Sequence, residues 1–239
     1  MNELHVYGKL AKYYDVIYSF KDYKSEAEDI ARLVSKYKRN KEISLLDVGC
    51  GTGMHIKYLK SRYKCVGTDL SENMLRLARK NVKDIKFVQS DMSNLNIKES
   101  FDVITCLFSA IGYLKTAERL KKTFSGFYKH LNAGGVCIID AWFDSSHWKE
   151  GSVHMRCHDD KDLKIARVSY SGRRGNMSIL DEYYLIAEKN KDVVYIPDKS
   201  ELRLTERDEF IKLLSAVGFR AILLKGAIMG RDRYIGIKD

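Results

Sequence analysis

Apolar and polar residues alternate along the chain in blocks that are typical of a parallel α/β fold. Between residues 43 and 141, short and almost continuous apolar runs are separated by amphipathic segments. Such runs are expected of strands buried on both faces, and apolar spacings of three and four residues are expected of the covering helices. We predict strands over 43–48, 65–68, 85–89, 101–107 and 136–141. Five βα repeats of this length imply a doubly wound sheet with right-handed crossovers.

Capping signals predict where the helices begin and end. The segment from Ser25 to Glu28 reads as a capping box, which predicts a helix over 25–38. Ser71 is placed to cap a helix that runs to residue 80, and Thr116 is placed to start another. A helix over 54–62 follows a glycine-rich turn. The segment 132–135, which ends in two glycines, predicts the stop of the Thr116 helix.

The pattern changes after residue 142. Strand-like segments at 165–170 and 177–187 flank a turn at 172–176, which predicts an antiparallel β insertion. The α/β rhythm returns with a helix over 205–217 and strands over 220–224 and 234–238. We therefore predict a core of residues 1–141 and 205–239, interrupted by an insertion of residues 142–204.

Composition predicts a folded protein of the cytoplasm. The chain has 239 residues, of which 45% are apolar and 31% charged, so it can bury a full core. Its five cysteines are scattered, which favours reduced thiols over a disulfide framework. The first ten residues are too polar for a secretory leader, and no apolar run approaches the roughly 18 residues of a membrane helix.

The net charge of +10 has two possible explanations. Nucleic-acid binding predicts basic residues clustered on one face, whereas a lysine-rich composition predicts scatter. The lysines are spread from Lys9 to Lys238 and the basic clusters are short, which favours scatter. Anionic small substrates, including nucleotides, remain compatible with this charge.

A glycine-rich loop directly follows the first predicted strand. Asp47 precedes Gly49, Gly51 and Gly53, and Asp69 ends the second strand 22 residues after Asp47. Glycines let a ligand approach the main chain, and a carboxylate at the end of the second strand can accept both hydroxyls of a ribose. A nicotinamide dehydrogenase shares these features, but its loop reads G-x-G-x-x-G, whereas this one reads G-x-G-x-G. The acidic residue before the loop suits a cationic ligand better than a phosphate, and a turn without any ligand is the remaining alternative.

This loop resembles motif I of the class I S-adenosylmethionine-dependent methyltransferases. The order of Asp69-Leu70, then Asp91-Met92 after the third strand, agrees with the ribose and adenine contacts of that family. The resemblance implies an enzyme with a Rossmann-like seven-stranded sheet that ends in an antiparallel hairpin. It implies S-adenosyl-L-methionine as cofactor and no metal. His154, Cys157 and His158 could suggest a metal site. On a strand, however, neighbouring side chains point to opposite faces, so these three would converge poorly on one ion.

More narrowly, the chain resembles the nucleotide-sugar N,N-dimethyltransferases, which methylate the amino group of dTDP-linked aminodeoxysugars. The resemblance runs almost end to end. It rests on Tyr14-Asp15 with Lys21-Asp22-Tyr23, on the segments 44–55, 108–114 and 166–171, and on Trp142-Phe143 and Gly230-Arg231. The chain departs from that family at Ala141, where a proline is expected. This departure affects the prediction of which sugar is bound more than the prediction of the reaction.

The resemblance implies a role for individual residues. The cofactor would be bound by Tyr14, Asp47, Gly49, Gly51, Gly53, Asp69, Leu70, Met74, Asp91, Met92 and Leu107. The β insertion would help to bind the nucleotide-sugar. The residues in contact with this substrate would be Tyr18, Tyr23, Trp142, Phe143, Arg167, Ser169 and Arg231. Arginine suits a pyrophosphate because its guanidinium can donate two parallel hydrogen bonds. Tyr113 and Tyr7 would lie near the sugar amine, and we expect them to orient it rather than to remove its proton.

Other functions stay open from the sequence. The acceptor could be another small-molecule amine or a hydroxyl. A nucleic-acid methyltransferase is disfavoured because residues 102–107 carry no N/D-P-P-Y/F motif and the chain has no room for an added RNA-binding domain. A cofactor-binding scaffold without catalysis is disfavoured by the intact motif I. Exposed edges of the β insertion could pair two copies into a homodimer.

Overall fold

The structure, a computed structural model, describes residues 5–38 and 43–239. Its strands are β1 (Ser44–Val48), β2 (Lys64–Asp69), β3 (Lys86–Gln89), β4 (Phe101–Cys106), β5 (Leu131–Asp140), β6 (Val153–Asp159), β7 (Leu163–Arg174), β8 (Met177–Glu188), β9 (Val194–Arg203), β10 (Arg220–Ile228) and β11 (Arg231–Ile237). Its α-helices are α1 (Tyr14–Ile17), α2 (Tyr23–Tyr37), α3 (Met54–Leu59), α4 (Glu72–Asn81), α5 (Ala117–His130) and α6 (Arg207–Ala216). Short 3-10 turns cover His5–Tyr7, Ala11–Tyr13, Met92–Asn94 and Ala110–Tyr113. Within the described ranges, no helix has the length and apolarity needed to span a bilayer.

Seven strands form one sheet in the order β10-β11-β5-β4-β1-β2-β3. Strands β1 to β5 pair in parallel, and β11 runs antiparallel to both β5 and β10. Leu45, Val103 and Ile138 in the central strands are fully buried, as expected for a sheet covered on both faces. The predicted doubly wound sheet with a final antiparallel hairpin is confirmed. Its chain order reverses between β1 and β4, which is where ligands bind in open α/β sheets.

The second sheet is antiparallel, in the order β6-β7-β8-β9, and all four strands fall inside the segment 142–204. Side chains alternate between its two faces. Ile165, Tyr184 and Ile186 are buried on the inner face, where they pack against Leu10 and Ile17 of the N-terminal segment. The antiparallel character predicted for this segment is therefore observed. The division of the chain at residues 141 and 204 into core and insertion stays a prediction.

Two predicted capping features differ in the structure. The N-cap of α2 is Asp22, not Ser25, because the Asp22 carboxylate accepts the Ser25 N–H at 3.0 Å and starts the helix earlier. Helix α5 ends at His130, and the segment 132–135 already belongs to β5. The pairing of β5 with β4 shifts register there, so its glycines form an irregularity in the strand instead of stopping the helix.

Candidate active site

A cavity of about 760 Å³ lies where β1 and β4 end, between the large sheet and the inner face of the second sheet. Its walls come from the N-terminal turns, the glycine loop after β1, the segment after β4, and strands β6 to β9. Because these segments are far apart in the chain, the cavity exists only in the folded protein. Of the residues predicted to form the site, those that line it are Tyr7, Tyr14, Tyr18, Tyr23, Gly49, Gly51, Leu107, Tyr113, Trp142, Phe143, Arg167, Ser169 and Arg231.

The glycine loop leaves space for a ligand against the main chain. Gly49, Gly51 and Gly53 have φ angles of +72°, +54° and +77°, which L side chains rarely adopt. A Cβ built on Gly49 would lie 2.9 Å from the Cβ of Ala110, whereas nothing lies within 4 Å of one built on Gly51. The loop therefore needs glycine for two reasons: a left-handed backbone, and an open approach at Gly51.

Two carboxylates stand beside this loop. The Oδ2 atom of Asp69 accepts the Gly51 N–H at 2.8 Å and its Oδ1 atom accepts the Ser71 N–H at 2.9 Å. Burial raises the pKa of Asp69. Asp47 is 1% exposed, and one of its oxygens accepts the Thr105 hydroxyl at 2.8 Å. Its other oxygen, Oδ2, has no hydrogen-bond partner in the described part of the chain, and burial raises the pKa of Asp47 to about 6. A buried carboxylate with a free oxygen suits a cationic ligand.

Four more residues predicted to bind the cofactor lie, like Asp47, Gly53 and Asp69, outside the cavity lining. Asp91 accepts hydrogen bonds from Ser93 and, at 3.0 Å, from Arg119; these outweigh burial and lower its pKa. Met92 follows it in the 3-10 turn. Leu70 is 58% exposed, whereas Met74 is fully buried in α4. Their contribution to binding stays a prediction.

The N-terminal tyrosines form one wall of the cavity. The Tyr7 hydroxyl donates a hydrogen bond of 2.8 Å to the Tyr113 hydroxyl, across 106 residues of chain. Burial raises the pKa of Tyr113 to about 12, against the lowering effect of its hydrogen bonds from Tyr7 and Ser200. Tyr14 and Tyr18 lie beside this pair with ring centroids 4.7 Å apart. Both hydroxyls of the pair are therefore neutral at physiological pH.

A tether holds this wall against the glycine loop. The Thr52 hydroxyl donates a 2.6 Å hydrogen bond to Asp15, and the Asn81 side-chain amide donates to the other oxygen of that carboxylate at 3.0 Å. Helix α1, which begins at Tyr14, is thereby joined to the loop and to α4. This link holds the N-terminal segment beside the loop.

The segment after β4 holds a strained backbone. Phe108 and Ser109 have φ angles of +51° and +62°, which are uncommon for residues other than glycine. The Phe108 N–H donates to Asp140 at 3.0 Å, and the Ser109 hydroxyl donates to the Ala141 carbonyl at 2.7 Å. Strain that is held by such contacts clusters at functional sites. Here it turns the Phe108 ring toward the cavity.

Arg231 is buried and forms no ion pair with a carboxylate in the described part of the chain. It is 6% exposed, and its guanidinium lies 5.3 to 6.0 Å from the ring centroids of Phe108, Trp142 and Phe143. Its Nε atom has no hydrogen-bond partner among residues 5–38 and 43–239. Burial lowers the pKa of Arg231. A buried guanidinium of this kind is suited to an anionic ligand.

Arg167 differs from Arg231 because it has a carboxylate beside it. Its Nη1 atom lies 3.4 Å from an oxygen of Glu182, on the inner face of the second sheet. Ser169, on the same strand, is 6% exposed and pairs in register with Glu182. Both residues line the cavity.

Several residues in the cavity lining or behind it were not assigned to the site from the sequence. Glu26, 8% exposed, binds the Lys21 ammonium at 2.7 Å and His55 Nε2 at 2.7 Å, and the Lys21 ammonium lies 3.8 Å from the Phe108 ring centroid. These three side chains form a buried charged cluster under the cavity wall. The lining residues that the sequence analysis did not assign to the site include Phe20, Trp148, Arg156, Glu182 and Ser200. Alternation along β8 could have indicated that Glu182 faces inward, but no local signal marks the others.

Comparison with known proteins gives a family match and near full-length relatives. Residues 45–135 match the family model described as a methyltransferase domain. The dTDP-3-amino-3,4,6-trideoxy-alpha-D-glucopyranose N,N-dimethyltransferase of Streptomyces venezuelae is 34% identical, over 95% of this chain and 97% of that enzyme. The dTDP-4-amino-2,3,4,6-tetradeoxy-D-glucose N,N-dimethyltransferase of Saccharopolyspora spinosa is 32% identical, over 96% of this chain and 92% of that enzyme.

A solved structure agrees over the same length. The S-adenosylmethionine-bound CalS10, an amino pentose methyltransferase from Micromonospora echinaspora involved in calicheamicin biosynthesis, superposes with a TM-score of 0.87. It is 27% identical and covers 95% of this chain and 96% of that chain. The likeness therefore includes both the large sheet and the segment that holds the second sheet.

Proposed function

This chain belongs to the S-adenosylmethionine-dependent methyltransferases, in the group that includes the dTDP-aminosugar N,N-dimethyltransferases, and on that basis we propose that it methylates the amino group of a nucleotide-linked aminodeoxysugar. One observation carries the proposal. The buried Arg231 guanidinium, whose Nε atom has no hydrogen-bond partner in the described residues, lines the same cavity as the hydrogen-bonded Tyr7 and Tyr113 hydroxyls. The cavity thus offers one subsite for an anion and another for a polar group that must be oriented.

The residues around the glycine loop fit S-adenosyl-L-methionine. The free Oδ2 atom of Asp47 suits its positive charge, and the Asp69 carboxylate is fixed where it can accept ribose hydroxyls. Gly51 leaves the main chain open to the ligand. The Tyr14 ring at the cavity wall is suited to contact with a cation. When bound, the cofactor supplies a methyl group on a positively charged sulfur, an electrophile with a good leaving group.

The substrate would be held by charge at one end and by aromatic rings beside it. The Arg231 guanidinium can donate two parallel hydrogen bonds to a pyrophosphate. Phe108, Trp142 and Phe143 surround it with apolar surface on which a nucleotide base can stack. Arg156, whose guanidinium lies 3.9 Å from the Phe20 ring centroid, adds a second positive charge to the cavity lining. These groups would set the distance between the nucleotide and the sugar amine.

The tyrosine pair would orient the amine. Methyl transfer needs the nitrogen lone pair aligned with the incoming methyl group, so positioning accounts for much of the rate. Because the pKa of Tyr113 is raised to about 12, this phenol stays neutral and acts through hydrogen bonds. Tyr7 donates to Tyr113 and thereby fixes its hydroxyl.

Removing the Tyr113 hydroxyl tests this positioning role. We expect Tyr113→Phe to lower kcat about 10- to 100-fold, because the amine loses an oriented partner while the apolar ring remains. Steady-state kinetics and calorimetry with S-adenosylhomocysteine would separate this loss from an effect on cofactor affinity, which should stay unchanged. The matched control is Tyr128→Phe, a hydroxyl deletion on α5 where the ring packs on Phe219. An unchanged kcat in Tyr113→Phe would contradict the role.

The function is tested by binding and then by turnover. The purified protein is titrated with S-adenosylhomocysteine, with and without dTDP, and then assayed by mass spectrometry on dTDP-linked 3-amino and 4-amino deoxysugars. Binding of both ligands and a mass gain of one or two methyl groups supports the proposal. Cofactor binding with no response to dTDP or to either sugar overturns it, and other amines, hydroxyl compounds and RNA then become the acceptors to screen.

We also propose that the outer face of the second sheet pairs two copies of the chain. Met155, Val168, Tyr183 and Leu185 are exposed on this face, by 45% to 65%, and the register places Met155, Val168 and Tyr183 side by side across three strands. A contiguous exposed apolar patch of this kind favours a protein interface. A single patch can meet its own copy around a two-fold axis.

A charge placed in this patch tests the homodimer. We expect Val168→Lys to convert a dimer into a monomer at micromolar concentration, because a lysine at the centre of the face would be desolvated without a partner. Sedimentation velocity measures the change. Ala133→Lys, which puts the same charge on an exposed residue of β5, serves as control. A monomeric wild-type protein at high concentration would contradict the proposal.

A further inference from the structure

Glu182 is a buried carboxylate in the wall of the cavity. It is 7% exposed and lies on the inner face of β8. Of the cavity-lining residues in the described part of the chain, it alone carries a carboxylic acid. The other charged or titratable groups of that lining include Arg167, Arg231 and Arg156, which are cations. A cationic group of the substrate can therefore bind beside Glu182, whereas the arginines would repel it.

The contacts of Glu182 leave acceptor capacity on its oxygens. Its Oε1 atom lies 3.4 Å from Arg167 Nη1, and its Oε2 atom accepts a 3.3 Å hydrogen bond from the Tyr184 hydroxyl. Both distances exceed the 2.6 Å of the buried pair between Arg233 and Asp140. An ionised carboxylate has about four acceptor positions, so these contacts do not saturate it.

Titratable groups face Glu182 from several elements. Arg167 on β7, Tyr184 on β8 and Asp198 on β9 belong to the same sheet, and Asp198 is paired with Glu182 in register. Tyr18 directly follows α1, and Tyr113 lies in the 3-10 turn after β4. Burial raises the pKa of Glu182 and the charge of Asp198 raises it further, while the charge of Arg167 lowers it. Glu182 lines the same cavity as the hydrogen-bonded Tyr7 and Tyr113, and the negative charges of Glu182 and Asp198 raise the pKa of Tyr113.

We propose that Glu182 accepts the proton of the substrate ammonium, so that the tyrosine pair orients a neutral amine. The step is balanced: an O–H bond forms on the Glu182 carboxylate, the N–H bond breaks, and its electron pair stays on nitrogen as the nucleophile. The proton then passes from Glu182 to water. The inference rests on the proposed function, because it requires an amine as acceptor. It assigns proton removal and orientation to different residues, since a neutral phenol is a poor base at physiological pH.

The pH dependence of Glu182→Gln tests this role. At pH 7 most of an alkylamine is protonated, so without an internal base the enzyme must capture the small neutral fraction. We expect kcat/KM of Glu182→Gln for the aminosugar nucleotide to fall about 30-fold at pH 7. The deficit should shrink to about threefold or less near pH 9.5, where much of the free amine has lost its proton. The wild-type rate should fall at low pH, as Glu182 itself becomes protonated.

Two further variants make the test decisive. Glu182→Asp keeps the carboxylate and should recover part of the rate at pH 7, and Glu201→Gln removes a carboxylate that is paired with Lys115 on the surface and should leave the rate unchanged. Calorimetry with S-adenosylhomocysteine establishes that each variant is folded. If Glu182→Gln fails to bind this ligand, the pH profile of kcat/KM for Glu182→Asp tests the role of Glu182 instead. A pH-independent loss, or an unchanged profile, overturns the inference while the proposed function stands. Absence of wild-type turnover on every aminosugar nucleotide overturns the proposed function instead.

Discussion

Replacing Asp69 by alanine is expected to lower the affinity for S-adenosylhomocysteine about 100- to 1,000-fold. Two effects combine. The carboxylate accepts the N–H groups of Gly51 and Ser71, so its loss frees the glycine loop from its fixed shape. It also removes the proposed acceptor for two ribose hydroxyls, and hydrogen bonds to a charged group contribute about 1.5–3 kcal/mol each.

Calorimetry measures this loss directly. Asp29→Ala is the matched control, because Asp29 forms a surface ion pair with Arg32 on α2. Asp69→Asn separates the two effects, since the amide keeps one oxygen acceptor but cannot accept from both N–H groups. An affinity of Asp69→Ala within threefold of the wild-type value would remove Asp69 from the cofactor site.

Replacing Arg231 by methionine is expected to weaken dTDP binding about 100-fold and to leave the affinity for S-adenosylhomocysteine unchanged. Methionine fills a similar volume among Phe108, Trp142 and Phe143 but removes the charge. Loss of one partner from a buried, hydrogen-bonded charge pair costs about 2–5 kcal/mol. Arg231→Lys should not restore binding, because an ammonium cannot reproduce the two parallel hydrogen bonds of a guanidinium.

Thermal unfolding provides a second readout for Arg231. Its buried guanidinium has an Nε atom without a partner in the described residues, so the free protein carries a desolvation cost. We therefore expect Arg231→Met to have a Tm equal to or higher than that of the wild-type protein. Arg220→Met, on the exposed side of the same hairpin, should change neither dTDP binding nor Tm. Unchanged dTDP affinity in Arg231→Met would contradict the anion subsite.

Features that depend on neighbours in the chain were predictable. The five parallel strands, the glycine loop and the position of Asp69 all follow from local spacing, because each strand and each turn is marked by residues close together in the chain. The capping errors at Ser25 and at 132–135 have a local cause as well. Asp22, three residues before Ser25, caps α2, and the glycines at 132–135 lie in an irregular part of β5.

Contacts across long separations were not predictable in the same way. Tyr7 and Tyr113 were each singled out, but their hydrogen bond joins residues 106 positions apart. The sequence marks Arg167 and Arg231 as similar arginines, yet one is paired with Glu182 and the other lies among aromatic rings. The spacing of apolar and polar residues along a strand does not indicate which side chain of another element will contact it.

The amino-acid sequence was therefore sufficient for the fold class, the glycine loop and the cofactor, since these are encoded in short motifs and in the spacing of apolar residues. The folded chain was needed to reveal the tyrosine wall, the burial of Arg231 among aromatic rings and the inward carboxylate of Glu182. These features depend on burial and on charge at points where distant segments meet. Burial and charge pairing are properties of that three-dimensional arrangement, so they can be read only once the second sheet and the N-terminal segment are packed against the core.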